Sequence, residues 1–356
     1  MKLMSPEKDA ASSLRNREWG VDLDAPDLPT SEIGFLRELG GPTLLHLRGA
    51  DGTRTRVVTT LLHGNEPSGL RAIHRWLREA RRPATNVLFF IARIDAALRE
   101  PPFSVRHLPD RRDFNRCFRP PWCDEEGRLA REVLDRILAV GPECLVDLHN
   151  NTGHNPAYGV AVRIDVTSLA LISLYADRVV HAPLALGTLV EATIDHFPSV
   201  TIECGRSGDP AADETAYRGL ARTLEEDDLH LEAFDGPMSV LEDPIRVCVT
   251  DAAGLAFGEA PDADADLTIS ADIDRHNFER LSPGTPIGWI RPGSAWPLDA
   301  RRPDGTECSH EMFRTREGIL ETRFEFIPIM MTTRPEIAKS DCLFYAVREG
   351  SRTGRR

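Results

Sequence analysis

Val57-Val58-Thr59-Thr60-Leu61-Leu62-His63-Gly64-Asn65-Glu66-Pro67-Ser68-Gly69 decides how this chain is read. Val57 to Leu62 is a short apolar run rich in β-branched residues, the mark of a buried strand. It ends in a histidine, and a glutamate follows three residues later. Pro67 then opens a segment in which Leu70, Ile73 and Leu77 mark one helical face, with the proline where a missing N–H does no harm. Strand, polar turn and helix in this order form the repeating unit of an α/β sheet. The turn that leaves such a strand is where these sheets build their sites.

Three more runs share the strand character: Val87–Ile94, Cys144–His149 and Val200–Cys204. Leu129, Val133, Leu134, Ile137 and Leu138 mark a second helix, closed by Gly141-Pro142. The alternation predicts an α/β domain with a largely parallel sheet flanked by helices over residues 39–236. Before it, residues 1–38 are polar and rich in Pro and Asp and are expected to form an irregular lead-in. After about residue 235, Asp235-Gly236-Pro237 and Asp243-Pro244 punctuate the chain. Short runs follow, at Ile245–Thr250, Leu267–Ile273, Pro286–Ile290, Phe324–Met331 and Cys342–Val347, separated by Gly and Pro. They predict a smaller, mostly β domain over 237–349, with a frayed tail at 350–356.

At 356 residues, 41% apolar and 28% charged, the chain has the composition of a soluble globular protein with a full core. A net charge of −13 argues against nucleic-acid or anionic-membrane partners, which need a basic face. The only lysines are Lys2, Lys8 and Lys339, which argues against Schiff-base chemistry. The seven cysteines are scattered and form no Cys-x-x-Cys pair, as in reduced thiols of a cytosolic protein. Residues 1–8 lack the apolar core of a signal peptide, and no stretch approaches a membrane span, so the cytoplasm is the expected compartment.

A second fragment answers the first. Leu145-Val146-Asp147-Leu148-His149 is another apolar strand ending in a histidine. With His63 and Glu66 it offers two nitrogens and a carboxylate, the ligand set of an open catalytic zinc. Asp147 is placed to orient such a ligand. The spacing alone is weak evidence, since His276-Asn277-Phe278-Glu279 repeats it with no strand before it; that copy reads as a solvated helix or turn. Asn150-Asn151-Thr152 directly after a buried strand is costly unless it faces a cleft, so Asn150 and Thr152 are candidates for substrate contact. In Val200-Thr201-Ile202-Glu203-Cys204-Gly205, a carboxylate at the end of an apolar strand suits a general base whose pKa burial has raised. Between Arg106 and Phe118 the chain is dense in arginine, and Phe114, Cys117 and Phe118 tuck one end against the core. A partly buried Arg116 beside Asn115 needs an anion, and a substrate carboxylate is the natural one. His74 and Trp76 read as helix packing. His154, His181, His196 and His230 lack companions at ligand spacing.

Taken together, His63-Gly64-Asn65-Glu66-Pro67-Ser68-Gly69, Asp113-Phe114-Asn115-Arg116-Cys117-Phe118, Asp147-Leu148-His149-Asn150-Asn151-Thr152 and Ile202-Glu203-Cys204-Gly205 resemble the motifs of the succinylglutamate desuccinylase/aspartoacylase family. The motifs fall in the family's order and cover roughly residues 40–235; Leu281-Ser282-Pro283-Gly284-Thr285-Pro286 resembles the family's C-terminal domain more loosely. The resemblance implies a zinc carboxypeptidase-like fold and one zinc per chain, held by His63, Glu66 and His149. It implies Glu203 as general base and then acid, and Asn115 and Arg116 as holders of a substrate carboxylate. It further implies an arginine that polarises the scissile carbonyl, assigned to Arg106 with Arg111 or Arg112 as the alternatives. The chain departs from the family where Asn150-Asn151-Thr152 replaces Asn-Thr-Thr. It also lacks the arginine that aspartoacylases carry some ten residues before the catalytic glutamate, having Glu191-Ala192-Thr193-Ile194-Asp195-His196 in that region. Tyr345 is the candidate for the family's C-terminal tyrosine.

The function expected is hydrolysis of the amide of an N-acyl amino acid or a similar small carboxylate-bearing amide. The alternatives are a zinc carboxypeptidase for short peptides and a non-catalytic zinc-binding protein. The expected partner is a small molecule, and a homo-oligomer is left open.

Overall fold

The structure, a computed structural model, describes residues 13–19, 28–183, 185–340 and 342–350. The start of the expected lead-in and the tail at 351–356 lie outside the described residues. In chain order the elements begin with β1 (Arg15–Trp19), α1 (Glu32–Leu39), β2 (Thr43–Leu47), β3 (Asp51–Thr60), α2 (Ser68–Arg78) and β4 (Thr85–Ile91). A single turn, α3 (Ile94–Ala97), and a long loop lead to α4 (Glu125–Val140), β5 (Cys144–Asn151), β6 (Tyr158–Ala161), α5 (Val166–Ser173) and β7 (Arg178–His181). After these come α6 (Leu189–Thr193), β8 (Ser199–Arg206), α7 (Pro210–Glu225) and the long β9 (Ser239–Val249). The remainder is β10 (Leu255–Gly258), β11 (Leu267–Ser270), β12 (Pro286–Ile290), β13 (Leu298–Arg301), α8 (Ser309–Met312), β14 (Phe313–Arg316), β15 (Ile319–Thr322), β16 (Ile327–Ile329), α9 (Pro335–Ser340) and β17 (Phe344–Glu349). Among the described residues no helix is long and apolar enough to cross a membrane.

Two compact units divide the chain. The first holds residues 1–150, 157–177 and 185–236, the second 151–156, 178–184 and 237–356. The second unit therefore takes in two short segments that the sequence reading keeps in the α/β domain. One of them carries β7, which pairs in parallel with β9.

In the first unit the strands run β1-β2-β4-β3-β5-β8-β6. The centre, β4-β3-β5, is parallel, and β2 and β6 add antiparallel neighbours. β3 from Arg56 to Thr60 and β5 throughout are buried, which is why Val57-Val58 and Leu145-Val146 read as continuous apolar runs rather than alternating ones. Phe90, Phe114, Val133, Ile137 and Leu145 are among the residues that fill one core layer. Helix α4 presents Leu129, Val133, Leu134 and Ile137 to it, is capped by Asp124 accepting from Gly127 N, and ends on Gly141 in the left-handed region. Gly69 lets α2 lie close on the sheet: a Cβ there would fall 2.4 Å from Thr60 Oγ1 and 2.7 Å from Leu148 Cβ. The stretch expected to be irregular holds β1 and α1. Arg15-Asn16-Arg17-Glu18-Trp19 forms a strand only through its parallel pairing with β2, not through any apolar pattern of its own.

In the second unit β7-β9-β17-β16 run side by side with β13 on β9, and a separate sheet has the order β10-β11-β12-β15-β14. Asp243-Pro244, expected as a break, lies inside β9. Glu242 pairs with Arg348 and Ile245 with Ala346, so two residues of β9 face one of β17. That bulge tolerates the proline and the positive φ of Asp243, 55°.

Candidate metal centre

The site grows from the ends of adjacent strands. Parallel pairing sets Thr60 opposite Leu148 and Thr59 opposite Asp147, so the turn after β3 and the end of β5 emerge side by side. Leu61, fully buried, takes φ 54°, a left-handed conformation that costs a branched residue about 1 kcal/mol or more. It swings the chain off the strand into His63-Gly64-Asn65-Glu66.

His63, Glu66 and His149 then converge. One ligand atom from each lies within 4.8 Å of the others, and all three residues are buried. His63 Nδ1 is 2.8 Å from Glu66 Oε1, and His149 Nδ1 is 2.7 Å from Glu66 Oε2. The two outer ring nitrogens meet carboxylates: His63 Nε2 lies 2.9 Å from Asp113 Oδ1, and His149 Nε2 lies 2.7 Å from Asp147 Oδ2. Asp147 is itself fixed by Thr59 Oγ1 at 2.5 Å. Every ring nitrogen of the two histidines thus faces a carboxylate; with a metal on the Nδ1 side, Asp113 and Asp147 would keep the Nε2 protons and hold the rings in place.

The electrostatics follow. Burial and the Arg106 charge oppose protonation of His63, but Asp113 and Glu66 outweigh them and raise its pKa. Burial likewise opposes charge on His149, and Asp147 and Glu66 raise it well above the usual value. Burial alone would raise Glu66, yet the facing His63 and His149 hold it far below the usual carboxylate range. Arg106 and the two rings in their charged form balance the three carboxylates, and a dication at the Nδ1–carboxylate meeting point would take the place of the two Nδ1 protons. Two nitrogens and a carboxylate within 4.8 Å can meet one zinc ion, whose bonds to such ligands run about 2.0–2.2 Å. The residues therefore fit the metal that the sequence suggests.

Glu203, in β8 opposite Tyr158, is buried, and its Oε2 has no hydrogen-bond partner among the described residues. Burial and the nearby negative charge of Glu66 push its carboxyl up to about 7, against the opposing pull of His149, His63 and Arg106. An acid near neutrality without a fixed partner is suited to carrying a proton.

Of the three candidate arginines, only Arg106 reaches this cluster. It donates from Nη1 to Glu66 Oε1 at 3.2 Å and from Nη2 to Asp113 Oδ2 at 3.0 Å. Arg111 turns to Glu125 and Glu126, at 2.6 and 3.2 Å, and Arg112 to Asp124 at 2.5 Å. Asn115 is buried, and half-buried Arg116 donates to the Asn115 carbonyl at 3.0 Å. Asn150, expected as a substrate contact, is bonded within the fold. Its Oδ1 accepts from Ser68 N at 3.0 Å and its Nδ2 donates to Ser68 Oγ and Gly205 O, so the amide braces α2 against the end of β8. Thr152 and Tyr345 belong to the second unit, where Thr152 bonds Thr332 Oγ1 at 3.2 Å and Tyr345 pairs with Ile329 and Arg246. The repeat at His276 begins at the end of a short 3-10 helix with its His276 and Glu279 side chains in contact with solvent, and His74 and Trp76 pack, with His74 Nε2 2.7 Å from the Pro29 carbonyl. Asp113, which opens the Asp113–Phe118 motif, has no role assigned from sequence, because its contact with His63 spans fifty residues of chain.

No protein-family model matches this sequence, and no curated protein matches it. Solved structures do. A succinylglutamate desuccinylase/aspartoacylase from Rhodobacter sphaeroides is 17% identical, over 86% of this chain and 88% of that one, with a TM-score of 0.55. A succinylglutamate desuccinylase from Vibrio parahaemolyticus is 13% identical, over 90% and 96%, with a TM-score of 0.57. Murine aminoacylase 3 is 17% identical, over 86% and 99%, with a TM-score of 0.53. At such identities the likeness shows the fold: the chain has the α/β architecture, with a second and smaller sheet, of the succinylglutamate desuccinylase/aspartoacylase proteins.

Proposed function

We propose that this chain is a zinc-dependent amidohydrolase that removes the acyl group from an N-acyl amino acid or a similar small carboxylate-bearing amide. The observation that carries the proposal is the buried donor set of His63, Glu66 and His149 within electrostatic reach of Glu203, whose carboxyl is pushed up to about 7 by burial and the Glu66 charge. The names of the similar structures, desuccinylase, aspartoacylase and aminoacylase, support the same reading. His63, Glu66 and His149 would hold one zinc per chain, which supplies Lewis acidity and brings the pKa of water down to about 7.

Glu203 orients the attacking water and takes its proton, then returns that proton to the leaving amine nitrogen. A pKa near working pH serves both halves of this cycle. Arg106 donates to the amide carbonyl oxygen as negative charge builds there. Arg116 and Asn115 grip the substrate carboxylate, and removing Arg116 is expected mainly to raise KM. Asp113 and Asp147 hold the two histidine rings in the ligating orientation. Asn150 positions Ser68 and β8. Free cysteines throughout the described residues agree with a reducing compartment, the cytoplasm.

The test is amine release by the zinc-loaded protein from a panel of N-acyl amino acids and short peptides, with Glu203→Gln beside it. Release from acyl amino acids that disappears in Glu203→Gln supports the deacylase. Cleavage confined to peptides would replace it with a carboxypeptidase, and release undiminished in Glu203→Gln would remove Glu203 from the chemistry.

A further inference from the structure

Asn115 Oδ1 accepts the backbone N–H of Leu189 at 3.1 Å. A backbone N–H can only donate, so this bond fixes which end of the buried carboxamide is oxygen. Only the Nδ2 hydrogens remain to be offered, which suits an anion and rejects a cationic group. The position of Leu189 is in turn set by its own loop. Thr188 caps α6, its Oγ1 accepting from Glu191 N at 3.2 Å. Glu191 reaches back, accepting from Leu186 N through Oε1 at 3.0 Å and from Gly187 N through Oε2 at 2.7 Å. Thr188-Leu189-Val190-Glu191 has capping-box spacing, but its carboxylate closes the loop upstream of the cap.

The loop is also clamped to the segment that carries Asn115 and Arg116. Phe118 N donates to Gly187 O at 3.0 Å, and Arg119 Nη1 donates to Ala185 O at 2.8 Å. Gly187 sits at φ +82°, and a Cβ there would lie 2.9 Å from the Arg116 carbonyl oxygen, so the approach needs glycine. None of these bonds touches the metal-site histidines.

We propose that Glu191 is a positioning residue for substrate binding: through the 186–189 loop it holds the Asn115 carboxamide with its NH2 presented to the substrate's anionic group. This rests on the carboxylate-binding part proposed for Asn115. In the zinc-loaded protein, Glu191→Gln keeps one acceptor and loses the other, and KM for an N-acyl amino acid rises about five- to tenfold with kcat nearly unchanged. On an Asn115→Ala background the same substitution adds no further rise. Thr188→Ala, which removes only the cap, moves KM in the same direction by less.

Side-chain and backbone amide NMR of wild type and Glu191→Gln supplies a readout independent of turnover, in which the Asn115 NH2 pair and the Leu189 amide both shift. Unchanged KM, unchanged Asn115 and Leu189 signals, or a KM effect undiminished on the Asn115→Ala background would each overturn the proposal. If wild type turned over no N-acyl amino acid, the deacylase reading would fail instead, and the NMR comparison would still decide whether Glu191 sets Asn115.

Discussion

His63-to-Glu66 and His276-to-Glu279 have the same spacing, and in both the histidine Nδ1 meets the glutamate carboxylate, at 2.8 and 3.1 Å. Their surroundings differ. In the first pair the side chains are 4% and 5% exposed, in the second 37% and 64%. Water satisfies the second pair, which needs nothing further. Burial denies the first pair that solvent, so each polar atom must find a protein partner. His63 Nε2 finds Asp113, and the far side of Glu66 finds His149, which finds Asp147. Among the described residues only His63, Glu66 and His149 form a three-residue donor group of this kind. A four-residue motif becomes a candidate metal site through the strand that buries it.

The largest expected difference between the two regions is catalytic. Glu203→Gln should lower kcat by about 10³-fold with zinc content intact, while Glu279→Gln leaves the rate unchanged. A Glu203→Gln enzyme keeping more than about a tenth of the wild-type kcat would contradict the base assignment.

The next is stability without metal. The Glu203 carboxyl is raised in the folded state to about 7 from an ordinary 4.5, so between those values the folded protein binds more protons than the unfolded chain. That contribution is complete below the ordinary value and is lost as pH rises through about 7. Urea unfolding of the metal-free protein should find Glu203→Gln more stable than wild type at pH 8, by up to about 3 kcal/mol, and near parity at pH 4. Parity at both pH values would mean the carboxyl is not raised.

Smaller effects belong to the supporting carboxylates. Asp147→Asn and Asp113→Asn should each weaken zinc binding by about 10- to 100-fold in a competition titration with a chelating dye. Neither pair's exposed counterpart has such support, so His276→Ala should change metal affinity not at all and stability by less than about 0.5 kcal/mol. A zinc loss in His276→Ala would erase the distinction between the two regions.

Much of this was legible because the informative strands are buried on both faces. Val57 to Leu62 and Leu145 to His149 announce themselves as apolar runs with polar ends, and the polar ends are the site. β12 spans Pro286–Ile290, the run read from sequence, because Thr285 and Arg291 bound it sharply. Other elements carry no such local signal. β1 is Arg15-Asn16-Arg17-Glu18-Trp19, and its strand character comes from β2. β9 continues through Asp243-Pro244 because a bulge against β17 absorbs what looks like a break. Within the candidate site, His63, Glu66, His149 and Glu203 each follow or end a strand, the position that makes them candidates in the sequence. Asp113 lies in a loop and Glu191 in the short α6, and the partners of both are set by tertiary packing. Asn150, a polar residue after a buried strand, must be satisfied, and Ser68 and Gly205 bond it inside the fold, partners that no local pattern announces.

The most direct test of the account is the zinc content of purified His149→Ala, set beside wild type and the His276→Ala variant after equilibrium dialysis. His149 is far from Glu66 in sequence and meets it only through the pairing of β3 with β5. The account predicts one zinc per chain in wild type and His276→Ala and essentially none in His149→Ala. Full zinc in His149→Ala would show that the metal sits elsewhere and would contradict the site.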